Sequence, residues 1–201
     1  MSREPSIPAM GGAVSGRGGS LPAVVEASRF RRIMGHYPTG VTVVTAVDRD
    51  GTPVGLTANS VTSVSLDPPL VLVCVSEKSS SLSAILANGA FAVNILGAGA
   101  AATAVRFAEE KRTDRFHDVP FTVREGGGPV LEGAVAWMTC GLYRTFEAGD
   151  HVILVGKVND GEAAGGDPLV FFLGQYEALT VAAEPAGPRH SGPVQASSED
   201  Q

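Results

Sequence analysis

The chain has 201 residues, 44% hydrophobic and 18% charged, which suits one soluble domain with a sizeable core. A net charge of −6 and a pI of about 5.2 argue against a nucleic-acid partner. No apolar run approaches the roughly 20 residues of a membrane helix, Met1-Ser2-Arg3-Glu4-Pro5 lacks a secretory apolar segment, and the two cysteines are expected to be buried free thiols, so a cytoplasmic location is expected.

Residues 1–23 and 182–201 are rich in Gly, Ser, Pro and Ala or in polar residues and read as disordered tails around a domain at 24–181. Ala27 to Tyr37 has a helical period with Phe30, Ile33, Met34 and Tyr37 on one face, and Pro38 ends it. Val41 to Val47 is β-branched and reads as a strand. Asp50-Gly51 signals a hairpin, with Pro53 to Thr57 returning. Ser60 to Ser65 is a further strand, stopped by Asp67-Pro68-Pro69. Leu70 to Val75 is apolar throughout, as a central strand would be. Ser79 or Ser80 caps a helix to about Ala87, which Asn88-Gly89 stops. Ala90 to Leu96 is a strand and Ala100 to about Glu110 a helix, with the mixed run Glu109-Glu110-Lys111-Arg112 on its solvated face. Val119 to Val123, Leu131 to Phe146, Val152 to Val158, Leu169 to Leu173 and Tyr176 to Val181 complete the strands. Strands outnumber helices and come as hairpins, which predicts a mainly β protein, an antiparallel barrel with a few covering helices.

Two polar clusters flank the apolar strands. Gly55-Leu56-Thr57-Ala58-Asn59-Ser60, followed by Thr62, Ser63 and Ser65, concentrates small hydroxyl and amide side chains. Such a cluster reads either as a turn bonding its own backbone or as donors for a flat, polar-edged heterocycle. Ser76-Glu77-Lys78-Ser79-Ser80-Ser81 precedes a helix, where a phosphate can bind. A ring plus a phosphate suggests a flavin nucleotide. Gly97-Ala98-Gly99-Ala100-Ala101-Ala102 fits a dinucleotide fingerprint, but no acidic residue ends a second strand and no alternating strand-helix units surround it. His36, His117, His151 and His190 are scattered, and neither cysteine has a partner at zinc-ligand spacing, so no metal is expected. Gly149-Asp150-His151 opens a strand and reads on its own as a hairpin turn or as a ligand contact.

Taken in order, these segments resemble the short-chain flavin reductase family, the reductase components of two-component flavin-dependent monooxygenases. The motifs are Tyr37-Pro38-Thr39-Gly40-Val41, Gly55 to Ser60, Ser65-Leu66-Asp67-Pro68-Pro69-Leu70, the Ser76 to Ser81 cluster, Phe91-Ala92-Val93-Asn94-Ile95-Leu96, Arg106-Phe107, Asp114-Arg115-Phe116 and Gly149-Asp150-His151. The resemblance implies a split barrel that binds FMN or FAD, works as a homodimer, takes hydride from NADH or NADPH, and releases reduced flavin to a separate monooxygenase. It implies that Thr57, Ala58, Asn59 and Ser60 edge the isoalloxazine, with Thr62 and Ser63 beyond them. Ser76, Lys78, Ser79 and Ser80 are expected at the ribityl phosphate, and Arg106 and Phe107 at the phosphate or adenylate end. His151 is expected beside the nicotinamide, with Asp150 next to it. Thr39, Gly40, Val41, Cys74, Val75 and Tyr176 complete the expected flavin contacts. The rivals are an FMN-dependent oxidase on the same barrel and a flavin or haem carrier without turnover; Gly149-Asp150-His151 favours the reductase.

Overall fold

A computed structural model of the chain describes residues 24–109 and 114–179. In chain order the elements are α1 (Ala27–Gly35), β1 (Thr39–Gly40), β2 (Thr42–Val47), β3 (Pro53–Ala58), β4 (Thr62–Leu66), β5 (Pro69–Ser76), α2 (Ser80–Asn88) and β6 (Ala90–Leu96). A short 3₁₀ turn leads into α3 (Ala101–Ala108), followed by β7 (Phe121–Val123), β8 (Pro129–Leu131), β9 (Ala134–Ala148), β10 (His151–Ala163), β11 (Leu169–Phe172) and β12 (Gln175–Ala178). The two expected tails lie outside the described residues, as does most of the Glu109 to Arg112 run.

Seven antiparallel strands in the order β3-β2-β6-β9-β10-β5-β4 form the split barrel expected from the sequence. β3 and β4 are the two ends of that order. The gap is drawn together beyond β3 by Ser60, whose hydroxyl donates to the Cys74 carbonyl at 3.0 Å and accepts the Cys74 N–H at 3.1 Å. Val44, Val73, Ile85, Phe91, Val93, Cys140 and Leu154 fill the interior. A second core under α3 gathers Val41, Val43, Leu96, Ala104, Phe107, Leu131 and Leu169. Both consist of buried side chains, and burial of such side chains contributes roughly 1.5–3 kcal/mol each.

Glycine at two positions lets these layers approach. A Cβ on Gly156 would lie 2.5 Å from the Phe91 ring and 2.8 Å from the Cys140 Cβ. A Cβ on Gly55 would lie 2.9 Å from the Phe107 ring. The first position coincides with a register shift between β10 and β9, where the strand bends over the core.

Buried polar groups knit the β7–β8 hairpin to the barrel. Asn94 is fully buried; its amide donates to the carbonyls of Val43 (3.0 Å) and Pro129 (3.2 Å) and to Thr45 Oγ1 (3.2 Å). Its Oδ1 accepts the Leu131 N–H at 2.8 Å. Thr45 Oγ1 also donates to the Pro129 carbonyl at 2.5 Å. Both polar atoms of this buried amide are thus engaged, as burial requires.

Several expected boundaries shift. α1 stops at Gly35, and the last turn tightens as His36 and Tyr37 donate to the carbonyls of Ile33 and Met34. The expected strand from Leu131 to Phe146 is two strands, split by a turn at Glu132-Gly133 where Gly133 has φ 80°. β10 runs on to Ala163, beyond the expected Val158. β5 is not a doubly buried central strand: Val71, Val73 and Val75 are buried, whereas Leu70, Leu72, Cys74 and Ser76 are half-buried. The Gly97 to Ala102 segment is no phosphate loop. Gly97 bridges to Pro168, and a Cβ there would meet Val135 at 2.9 Å, so the glycine serves packing.

Candidate functional site

A cleft of about 260 Å³ opens where the end of β3 meets the end of β5, the start of α2 and the end of α3. Such a volume is near the lower end of small-molecule sites, roughly 300–1,000 Å³. One side is Leu56 to Ser60 with Cys74. Ser76, Lys78, Ser79 and Ser80 come from the β5–α2 turn, Phe107, Ala108 and Arg115 from α3 and beyond it, and His151 from the start of β10. His151 reaches this place because it pairs directly with Ser76 across the β10–β5 ladder. None of the described lining residues is a carboxylate, while Lys78 and Arg115 are cations. In a chain of net charge −6, that composition selects an anion.

The turn before α2 is built to receive oxygen anions. Ser79 is the helix N-cap, its Oγ accepting the Ser81 N–H at 3.3 Å. The Lys78 N–H reaches Ser76 Oγ at 3.4 Å and the Ser79 N–H donates to the Ser76 carbonyl at 2.9 Å. The Ser79 cap uses its oxygen as acceptor, so its hydroxyl hydrogen can still be donated. The helix dipole adds a favourable field there. These residues fit a phosphate.

The Thr57 to Ser60 segment behaves differently from the sequence expectation. Thr57 Oγ1 donates to the Ala104 carbonyl at 2.6 Å, tying β3 to α3. Ser60 stitches the barrel to Cys74. Both hydroxyls are therefore committed within the chain. Of the four side chains here, that of Asn59 is the exposed one beside the cleft. A ring edge rich in acceptors and donors still fits, through main-chain groups.

Next to this cleft, a smaller hollow of about 150 Å³ shares Thr57, Asn59 and Ala108 and adds Val41, Phe171 and Tyr176. The Phe171 and Tyr176 rings sit 5.2 Å apart. Burial pushes the Tyr176 phenol above its usual range.

At the rim, His151 Nδ1 lies 2.7 Å from Asp150 Oδ1. The hydrogen bond and charge of His151 hold the Asp150 carboxyl below the usual carboxylate range. Asp150 is thus ionised at neutral pH and accepts the Nδ1 proton, leaving Nε2 as the ring nitrogen that can meet a ligand.

Not every expected contact is here. Val75 is buried in the core and is not among the cleft's lining residues. Thr62 and Ser63 are exposed on the end strand β4, outside the cleft lining. Thr39 and Gly40 pair with Phe171 and Val170 in the small sheet and line neither cavity. Arg106 turns away to donate to the His117 carbonyl, and Asp150 is not among the cleft's lining residues but bonds His151, feels the charge of Lys78 and accepts the Glu77 N–H on its carbonyl. Leu56, Ala108 and Arg115 are lining residues that sequence reading did not assign. Arg115 sits in the motif Asp114-Arg115-Phe116, the signal that could have pointed to it.

The two thiols also part company. Cys140 lies in the core, and burial pushes its thiol up to about 12. Cys74 is half-buried and borders the cleft, contrary to the expectation of two buried thiols. A disulfide-exchange reagent at pH 8 should therefore modify Cys74 and spare Cys140 until the protein unfolds. Equal native-state rates for both would contradict the packed interior.

Comparison with known proteins decides the family. Residues 34–180 match the flavin reductase like domain. The chain belongs to that family. It is 42% identical over 161 residues to the stachydrine N-demethylase reductase subunit of Rhizobium meliloti, covering 80% of this chain and 70% of that one. It is 41% identical over 172 residues to a flavin reductase (NADH) of Kitasatospora aureofaciens, covering 82% and 87%. Among solved structures, the NADH:FAD oxidoreductase of Streptomyces globisporus in complex with NAD and FAD fragments superposes with a TM-score of 0.73 at 38% identity, covering 78% of this chain and 94% of that one. This flavin reductase-like chain therefore keeps the family's barrel over nearly all its described residues.

Proposed function

We propose that this protein is an NAD(P)H:flavin oxidoreductase that passes hydride from NADH to FMN or FAD and supplies free reduced flavin to a separate monooxygenase. The observation that carries this reading is the convergence of the Thr57 to Ser60 segment, the Lys78–Ser79 turn and His151 on one cleft that has no carboxylate among its described lining residues. Relatives named as NADH-dependent and as reductase subunits support NADH and a partner oxygenase.

When bound, the flavin ring and the nicotinamide carry the hydride chemistry between them. The chain's part is to hold the two rings at roughly 3–3.5 Å and to exclude water, and positioning of that kind lowers a barrier by several kcal/mol. Lys78, Ser79 and α2 fix the phosphate. Ala58 to Ser60 would hold the ring edge, where main-chain N–H groups would oppose negative charge developing on it. His151, held by Asp150, offers Nε2 to the hydride donor. No acid–base pair is required of the described lining residues.

Purified protein is expected to oxidise NADH only when free flavin is added, in an assay pairing each nicotinamide with each flavin. Tight flavin binding without turnover in any pairing would favour the carrier. In His151→Ala, kcat/KM for NADH should fall by about 1–3 kcal/mol in barrier terms while flavin Kd hardly moves. Unchanged NADH kinetics would reduce Gly149-Asp150-His151 to a turn.

A homodimer also fits. α1 has no buried residue, and Phe30, Ile33, Met34 and Tyr37 stand 46–65% exposed on its apolar side. An unpartnered face of this kind marks an interaction surface. A monomeric mass by light scattering at micromolar concentration would reject it. A cytoplasmic location suits NADH supply and the free thiols.

A further inference from the structure

Asp150 stands between two parts of the cleft that would meet different ligands. Its carboxylate Oδ1 lies 2.7 Å from His151 Nδ1. Its main-chain carbonyl accepts the Glu77 N–H at 3.1 Å, one residue before Lys78. His151 in turn pairs with Ser76, the last residue of β5. The anion-binding turn is itself folded onto Ser76, whose Oγ meets the Lys78 N–H at 3.4 Å and whose carbonyl accepts the Ser79 N–H at 2.9 Å. The start of β10 and the β5–α2 turn are therefore one bonded unit, fastened through Ser76 to His151 and through Glu77 to Asp150.

Charge follows the same path. The Asp150 carboxyl is held low first by the bond and charge of His151 and, to a smaller extent, by the charge of Lys78. Lys78 and His151 line the cleft, while Asp150 is not among its lining residues. One carboxylate thus serves both the Lys78 ammonium and the His151 ring. A phosphate seated on Lys78 and Ser79 takes over the ammonium. The carboxylate is then left to His151 alone, its hold on Nδ1 strengthens, and Nε2 keeps a fixed aim. Asp150 is exposed, so solvent and salt weaken this effect without cancelling it.

We propose that Asp150 is a positioning residue that couples the two ligands: a phosphate on the β5–α2 turn raises the affinity of the His151 side for the nicotinamide substrate, and the nicotinamide substrate raises the affinity for a phosphate-bearing flavin by the same factor. This rests on the flavin reductase reading above.

Flavin fluorescence quenching with the full chain gives Kd for FMN and for riboflavin, each without and with saturating NAD⁺, which takes the nicotinamide's place without reducing the flavin. NAD⁺ should tighten FMN about fivefold more than it tightens riboflavin, the low end of coupling between sites because Asp150 is exposed. In Asp150→Ala the two tightening factors should become equal. Asp150→Asn keeps an oxygen acceptor for Nδ1 without the charge and should give an intermediate ratio. Each Kd is compared with another from the same variant, so a general loss of stability or of flavin affinity cancels. Equal factors for FMN and riboflavin in the wild-type protein, or a difference that survives intact in Asp150→Ala, would overturn the proposal. These are binding measurements, so absence of turnover in the assay above would overturn the reductase reading separately.

Discussion

Replacing Asn94 by leucine should cost the domain about 3–5 kcal/mol, the largest stability effect expected of any single change here. Leucine keeps the branching and the number of side-chain heavy atoms and is the bulkier of the two, so cavity formation is not the cause. The cost comes from stranded partners. The Leu131 N–H loses its acceptor, and the Val43 carbonyl loses the amide donor. Pro129 keeps its bond from Thr45, so that carbonyl is not orphaned. Each buried group left unpaired costs roughly 1–3 kcal/mol. Against a total stability of about 5–15 kcal/mol, such a loss brings the protein close to unfolding at ambient temperature. Thr139 supplies the contrast. It is buried on β9, and its hydroxyl has no partner. Thr139→Val removes no hydrogen bond and should be neutral or stabilising. Urea unfolding of the two variants measures both, at unchanged m-value. An Asn94→Leu variant within 1 kcal/mol of wild type would mean that the hairpin is held by its apolar contacts alone.

The double substitution Lys78→Ala with Ser79→Ala should raise the KM for FMN by about 10- to 100-fold or more. A charge-assisted hydrogen bond contributes roughly 1.5–3 kcal/mol, and Lys78, being exposed, belongs at the low end. Riboflavin lacks the phosphate and should be nearly indifferent. The ratio of the two losses is the decisive quantity, because Ser79 is also the cap of α2 and its removal costs about 1 kcal/mol of stability. A stability defect touches both ligands alike; a lost phosphate contact touches one. Equal losses for FMN and riboflavin would place the phosphate elsewhere in the cleft.

Much of this molecule was legible before its coordinates. The β-branched run of β2, the Asp50-Gly51 turn, the Ser79 cap and the Gly89 stop of α2 carry their own local signals, and each element formed where those signals stand. The far half of β10 did not announce itself. Asp160 to Ala163 has little strand propensity and is extended because it pairs with Ala136 to Thr139 of β9. Propensity cannot see a partner that distant. The same limit governs the site. Thr57 and Ser60 drew attention as hydroxyls, but their oxygens are engaged by Ala104 and Cys74. Arg115 adjoins a charged run that reads as solvated surface, while its guanidinium bonds a carbonyl 60 residues earlier. Asn94 stood inside a family motif without any role suggested by its neighbours. Its role is structural, and only the folded chain shows it.

The Ser60–Cys74 stitch places ligand binding and barrel closure in one location. It draws together the gap in the sheet order, and both residues line the cleft. A flavin lying across Thr57 to Ser60 with its phosphate on the β5–α2 turn would span the same gap. Its binding energy would then oppose opening of the seam, and by mass action the closed barrel would gain RT ln(1 + [L]/Kd). An enzyme that gives its flavin away surrenders this reinforcement at every turnover. The protein would alternate between a clasped form and a looser one, with local unfolding concentrated at the mouth through which the product must leave.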